Sequence, residues 1–210
     1  MQAATAGNYF QVLSYGILQE VAPSTMARWM EQNLFSNLPY AAPHPLSLLG
    51  QQSMKVWQER YRSDPQAQER LEADFLYLFV GAGRPLAPPW GAWYRNEKQL
   101  LFQEEADEVQ RWMQRYGCQV EEAYGIADDY LAYELDFVAH ILKNRKVSSP
   151  EAWKDLLYFL QEQMLTWVPL WNQDVQKNAE TDYYRAIANL IQAACETLAE
   201  EVEEICAGLW

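Results

Sequence analysis

Ala87-Pro88-Pro89-Trp90-Gly91-Ala92-Trp93-Tyr94 sets a double proline beside a glycine and three large aromatics. Proline lacks the N–H that a helix interior requires and fixes its own φ. Pro89 also biases Pro88 towards an extended conformation. The stretch from Arg84 to about Arg95 therefore reads as a stiff, ordered, non-helical loop, with Pro88 and Pro89 as its structuring residues. Large aromatics are costly to leave in water. The loop is expected to pack on the body of the protein or on a partner.

Outward from the loop, the periodicity is helical in both directions. Upstream, Leu71, Phe75, Leu78 and Phe79 share one face of a helix that Asp64 caps and Gly81-Ala82-Gly83 ends. Further back, Leu49, Val56, Trp57 and Tyr61 define a helix over 46–62. Ser24 caps a short helix that uses Met26, Trp29, Met30 and Leu34. Asn8 caps a first helix over 8–22, which Pro23 stops. Residues 36–45 hold three prolines and read as a loop.

Downstream, Val109, Trp112, Met113 and Tyr116 face inward from a helix over 104–116, with Gly117 just beyond its end. Asp128 or Asp129 caps the next helix, whose inner face is Leu131, Leu135, Val138 and Leu142. Ser149 and Pro150 start another, with Trp153, Leu156, Leu157 and Leu160, and Pro169 kinks or breaks the chain beyond it. A last helix over 182–207 turns Ile187, Leu190, Ile191, Ala194, Leu198 and Val202 inward, with an acidic, solvated far end. No stretch alternates as a strand does. The expected fold is all-α: one bundle of about eight or nine helices over residues 1–210, with a possible hinge near 118–128.

Among the 210 residues half are hydrophobic, and nine Trp, thirteen Tyr and seven Phe are ample for a core. The net charge of −13 speaks against nucleic acid as a partner, because phosphate binding needs a basic face, and favours a cationic one. Cys118, Cys195 and Cys206 have no disulfide or zinc spacing and read as reduced thiols. The first residues lack the basic and apolar regions of a secretory signal, and no run is long and apolar enough to span a membrane. The expected setting is the cytoplasm.

The chemistry of a catalytic site is not apparent. Only His44 and His140 exist. Glu134 and His140 fall on different faces, which excludes a Glu-x-x-His metal pair. Gly81-Ala82-Gly83-Arg84-Pro85 lacks the Lys-Ser/Thr of a phosphate loop and reads as a helix stop. No catalytic residue, metal site or cofactor is expected. Two constellations remain. One is the Pro-Pro-Trp-Gly loop, with Trp90, Gly91, Trp93 and Tyr94. The other is Asp128-Asp129-Tyr130-Leu131-Ala132-Tyr133-Glu134, where Tyr130 and Glu134 share a helical face. The aspartates read either as helix caps or as half of an acidic, aromatic patch for a guanidinium, since carboxylates pair with Arg and aromatic faces stack on it.

Leu78-Phe79-Val80-Gly81 followed by Pro88-Pro89-Trp90-Gly91-Ala92-Trp93-Tyr94 resembles the TorD/DmsD/NarJ family of redox enzyme maturation chaperones. The resemblance continues through Leu101-Phe102, Arg111-Trp112-Met113 and the stretch Asp129 to Phe137, and reaches Asp182-Tyr183-Tyr184-Arg185-Ala186. It implies an all-helical, cytoplasmic, non-catalytic protein. Such a chaperone binds the twin-arginine signal peptide and the apo-form of a molybdenum-containing oxidoreductase until the cofactor is inserted, and so prevents premature export. Carried over, peptide contacts fall at Trp90, Gly91, Trp93 and Tyr94 and at Asp128, Asp129, Tyr130 and Glu134. The family's second signature, acidic-Pro-x-Asp-His, is replaced here by Ile126-Ala127-Asp128-Asp129-Tyr130. Only its Asp survives, as Asp129. Alternative readings are a permanent assembly or structural subunit of a redox complex and an all-α nucleotide-hydrolysing enzyme. Monomer and domain-swapped dimer both fit.

Overall fold

The long helix over 182–207 buries a continuous apolar stripe, and several of the other helices pack against it. In the computed structural model, described for residues 3–32, 34, 44–81, 83–101, 104–118, 127–144 and 149–208, the elements run α1 (Ala3–Leu18), α2 (Pro23–Glu31), α3 (Pro45–Ser63), α4 (Ala67–Phe75), α5 (Gly91–Arg95), α6 (Glu104–Arg115), α7 (Leu131–Lys143), α8 (Pro150–Tyr158), α9 (Val168–Asn178) and α10 (Asp182–Ala207). The fold is all-α, with ten α-helices among the described residues. Helices α4 and α8 each run on into wider π-helical turns, Leu76–Val80 and Phe159–Met164. The proposed hinge falls mostly on residues outside those described, as does most of the 36–45 loop.

All six residues assigned to the inner face of α10 are buried, together with Tyr183 and Tyr184. Helix α3 lies along α10, and α1 pairs with α7. The α3 face differs from its pattern. Leu48, Leu49 and Val56 are exposed, while Ser47, Gly50, Met54, Trp57 and Gln58 are buried. The reason is close backbone approach: a Cβ on Gly50 would lie 2.8 Å from Leu190 Cγ and 3.0 Å from Ala186 O. The glycine face, rather than the leucine face, admits α10 at that distance.

Several caps differ from their sequence assignment. Helix α1 starts five residues before Asn8, and α2 starts at Pro23, so Ser24 lies in its first turn. Asp64 accepts from Gln66 N (2.9 Å) in the turn that precedes α4 rather than capping it directly. His44 caps α3, its Nδ1 accepting from Leu46 N (3.2 Å), while Nε2 lies 2.9 Å from Glu196 of α10. Ser149 caps α8 as its sequence indicates.

Thr181 holds the N-cap position of α10, but its hydroxyl donates to Asp74 of α4 (2.6 Å). Asp74, itself buried, also accepts from Thr181 N (2.8 Å) and Glu180 N (3.1 Å). One carboxylate thus ties α4 to the corner between α9 and α10. A buried donor left without its acceptor costs about 1–3 kcal/mol. Asp74→Ala is expected to destabilise the protein by about 3 kcal/mol and to lower the melting temperature by about 6–12 °C for a chain this long. Thermal unfolding of the purified variant checks this, and a loss below about 1 kcal/mol would show that the three bonds are not structural.

Candidate functional site

The loop leaves α4 at Gly81, where φ turns to +64°, and doubles back along the π-helical turn. Leu86 N donates to Tyr77 O (3.1 Å) and Ala87 N to Leu78 O (2.8 Å). Trp171 of α9 donates its indole N–H to Ala87 O (3.2 Å). Pro88 and Pro89 are buried and Trp90 is half-buried. The proline pair thus crosses the protein without exposing unpaired backbone donors.

The two sequence constellations meet at this point through their backbones. Gly91 N donates to Asp129 O (3.1 Å) and Leu131 N to Pro89 O (2.9 Å), an antiparallel bridge centred on Trp90 and Tyr130. Their rings lie 5.3 Å apart. The Tyr130 hydroxyl donates to Ile17 O (2.6 Å) at the end of α1. The loop does not stay non-helical to Arg95. Residues Gly91–Arg95 form α5, because the Asp129 side chain supplies its cap: Oδ2 accepts from Ala92 N (2.6 Å). Asp129 therefore caps, but it caps the facing helix and not α7, whose N-cap position is Tyr130. Gly91 is required here by close approach, since a Cβ would stand 3.1 Å from the Trp167 indole nitrogen.

Behind this clasp is a buried polar group of side chains. Asp129 and Glu134 are fully buried. Arg95 Nη1 donates to buried Gln163 (2.7 Å). Burial raises the Asp129 carboxyl above its usual range, against the Ala92 N–H and the Arg95 charge, which lower it. Burial raises the Glu134 carboxyl well above the usual range, with the Arg95 charge lowering it and the Asp129 charge raising it further. Neither Glu134 oxygen has a hydrogen-bond partner among the described residues.

Trp93 and Tyr94 face elsewhere. With Arg84, Pro85, Leu86, Pro88, Gln99, Leu170, Gln173 and Asp174 they line an open cleft of about 320 Å³ between the loop and α9. Asp128, Asp129, Tyr130 and Glu134 do not line it. The Tyr94 ring stacks on Trp167 (5.7 Å) and its hydroxyl donates to Asp174 (3.1 Å). Burial, then the Asp174 charge and that hydrogen bond, raise the Tyr94 phenol. Leu86 and Leu170 are exposed at the cleft, and Tyr77 and Val80 are exposed beside Leu86 on the π-helical turn. Sequence reasoning brought Trp90 to Asp129 but placed Trp93 with them. It missed Arg95, at the end of the same stretch, and it missed Gln163, Trp167 and Asp174, which carry no sequence signal because each is recruited from a distant helix or turn.

This arrangement of a Pro-Pro-Trp-Gly loop clasped to a facing Asp within an all-α body coincides with a family match. The model for "Nitrate reductase delta subunit" covers residues 46–173. The chain belongs to that family. Its span holds the loop, the clasp and all but one of the residues lining the cleft. Curated relatives named "Chaperone protein TorD" include one from Vibrio parahaemolyticus, 30% identical over 135 residues, or 62% of this chain and 63% of the relative. One from Aliivibrio fischeri is 29% identical over 130 residues, 60% of each chain. One from Vibrio vulnificus is 30% identical over 134 residues, 61% of this chain and 62% of the relative. The matched region thus spans about three fifths of the length of these relatives. No described helix is long and apolar enough to cross a membrane.

A raised carboxyl pKa in the folded state has a definite sign in linkage. The folded protein keeps a proton on Glu134 that the unfolded chain releases above about pH 4.3. Its contribution is fully present below that pH and is lost as pH rises through the folded pKa. Glu134→Gln is therefore expected to weaken the fall of stability with rising pH. Urea unfolding between pH 5 and pH 8 reads this directly. A slope no shallower than that of the parent would assign the pH dependence to groups other than Glu134.

Proposed function

We propose that the protein is a cytoplasmic, non-catalytic chaperone. It binds the twin-arginine signal peptide and the apo-form of a molybdenum-containing oxidoreductase, assists cofactor insertion and delays export. The observation that carries this reading is the cleft at Trp93, Tyr94 and Asp174, which sets aromatic faces and a carboxylate beside exposed Leu86, Leu170, Tyr77 and Val80. A peptide with paired arginines followed by an apolar run presents the complementary sequence of groups. The net charge of −13 favours encounter with such a cation. Membership of the family, and relatives named as chaperones, support the same reading.

Within this proposal the roles of the sequence-nominated residues separate. Trp93 and Tyr94 contact the peptide, and Trp90 with half-buried Asp128 forms a second rim. Gly91, Pro88 and Pro89 fix the loop. Asp129, Tyr130 and Glu134 act from inside, holding α5 and its aromatics in place, since a buried carboxylate can reach a surface ligand only through the groups it positions.

Isothermal titration with a twin-arginine peptide and its Lys-Lys counterpart tests the proposal. The arginine peptide is expected to bind at least tenfold more tightly, or about 1.4 kcal/mol, because guanidinium stacks and pairs bidentately where ammonium does not. Trp93→Ala is expected to abolish most of that preference. Equal, weak heats from both peptides would overturn the reading.

A further inference from the structure

The chain builds one complete guanidinium site for its own use. On α6, the Arg115 guanidinium lies over the Trp112 ring (5.5 Å to the centroid). Its Nη2 is 3.0 Å from Asp155 Oδ2 on α8, and the Tyr116 hydroxyl donates to that same oxygen (2.7 Å). Trp, Tyr, Asp and Arg together satisfy stacking, ion pairing and hydrogen bonding.

The cleft repeats this set with its parts uncoupled. The Tyr94 hydroxyl donates to Asp174 Oδ2 (3.1 Å), as Tyr116 does to Asp155. A guanidinium, that of Arg84, lies over the adjacent Trp93 ring (4.8 Å). Arg84, however, is held by the neutral Gln99 side-chain oxygen and not by Asp174, and no described residue forms an ion pair with Asp174. Gln99, which holds it, has φ +51°, a conformation rare for a residue with a Cβ and seen at no other non-glycine position among the described residues. Arg84 is itself exposed, so little else fixes it there.

Resting on the peptide-binding reading, we propose that Trp93, Tyr94 and Asp174 form a subsite for an arginine guanidinium of the bound peptide. Arg84 is its resident stand-in, covering the Trp93 face in the free protein and giving it up to the incoming arginine. The ligand's guanidinium then gains both the ring and the carboxylate, which Arg84 in its Gln99-held position does not. A site partly occupied by its own chain binds with an affinity reduced by that occupancy, so removal of Arg84 tightens binding.

N-ethylguanidinium, with ethylammonium as control, reads the subsite without a peptide. The reporter is the Trp93 indole N–H resonance, assigned by its loss in Trp93→Phe. In Arg84→Ala the resonance is expected to titrate at least fivefold more tightly than in the parent. Asp174→Asn is expected to weaken the response at least fivefold, and ethylammonium to produce little shift. Arg111→Ala removes the same charge elsewhere and is expected to match the parent. Arg84→Ala behaving like Arg111→Ala, or Asp174→Asn leaving the titration unchanged, overturns the proposal. The twin-arginine peptide is then titrated against the same variants. If it discriminates arginine from lysine while Arg84→Ala changes nothing, the stand-in fails and the chaperone reading survives. If N-ethylguanidinium responds as expected but the two peptides bind alike, the subsite stands and the chaperone reading fails.

Discussion

The clasp between residues 89–91 and 129–131 holds the two halves of the described chain in register. It comprises two main-chain hydrogen bonds and one carboxylate-to-amide bond of 2.6 Å. Each partner needs the other. The proline pair has no N–H groups to offer a helix, and α5 is too short to be stable without an external cap. Asp129 supplies that cap from the start of α7. Tyr130, next to it, reaches back to α1 through its hydroxyl. One short backbone bridge therefore links the loop, α5, α7 and α1.

The chemistry of this clasp explains why charge is found inside it. Asp129 caps α5 from a fully buried position, and burial raises its proton affinity. Arg95, at the end of the helix that Asp129 caps, returns a positive charge to the same region, and Gln163 holds Arg95 in turn. Glu134, one turn into α7, shares that field with both oxygens buried. The acidic residues that a sequence reading assigns to a ligand thus belong to the support of the loop. The cleft on its outer side relies on a different carboxylate, Asp174, delivered by α9.

The division between an inner support and an outer cleft also accounts for the aromatics. Trp90 pairs with Tyr130 at the bridge, whereas Trp93 and Tyr94, on the next helical turn, are rotated towards α9. Trp90 stands outside α5 in extended backbone (φ −127°, ψ 132°), so its ring does not follow the helical face that carries Trp93 and Tyr94. Trp167 and Trp171 back the loop from within, both fully buried, so that the exposed aromatics stand on a rigid base. Rigid aromatic surfaces bind with little loss of side-chain entropy.

The amino-acid sequence by itself determined the all-α class and the inner face of α10, because helical periodicity is a local property that burial preserves. It also determined the stops at Gly81 and Gly117, both at positive φ, and the Ser149–Pro150 start of α8, because backbone geometry at those residues is intrinsic. Trp90 and Asp129 could be expected to meet because both loops had to find partners. Tertiary structure alone decided which helix Asp129 caps, because an N-terminal carboxylate serves any nearby set of free N–H groups. It decided that α3 turns Gly50 rather than Leu49 to the core, because close helix approach depends on the partner's surface. It also brought Asp174 to Tyr94, a pair 80 residues apart whose meeting depends on how α9 packs against the loop.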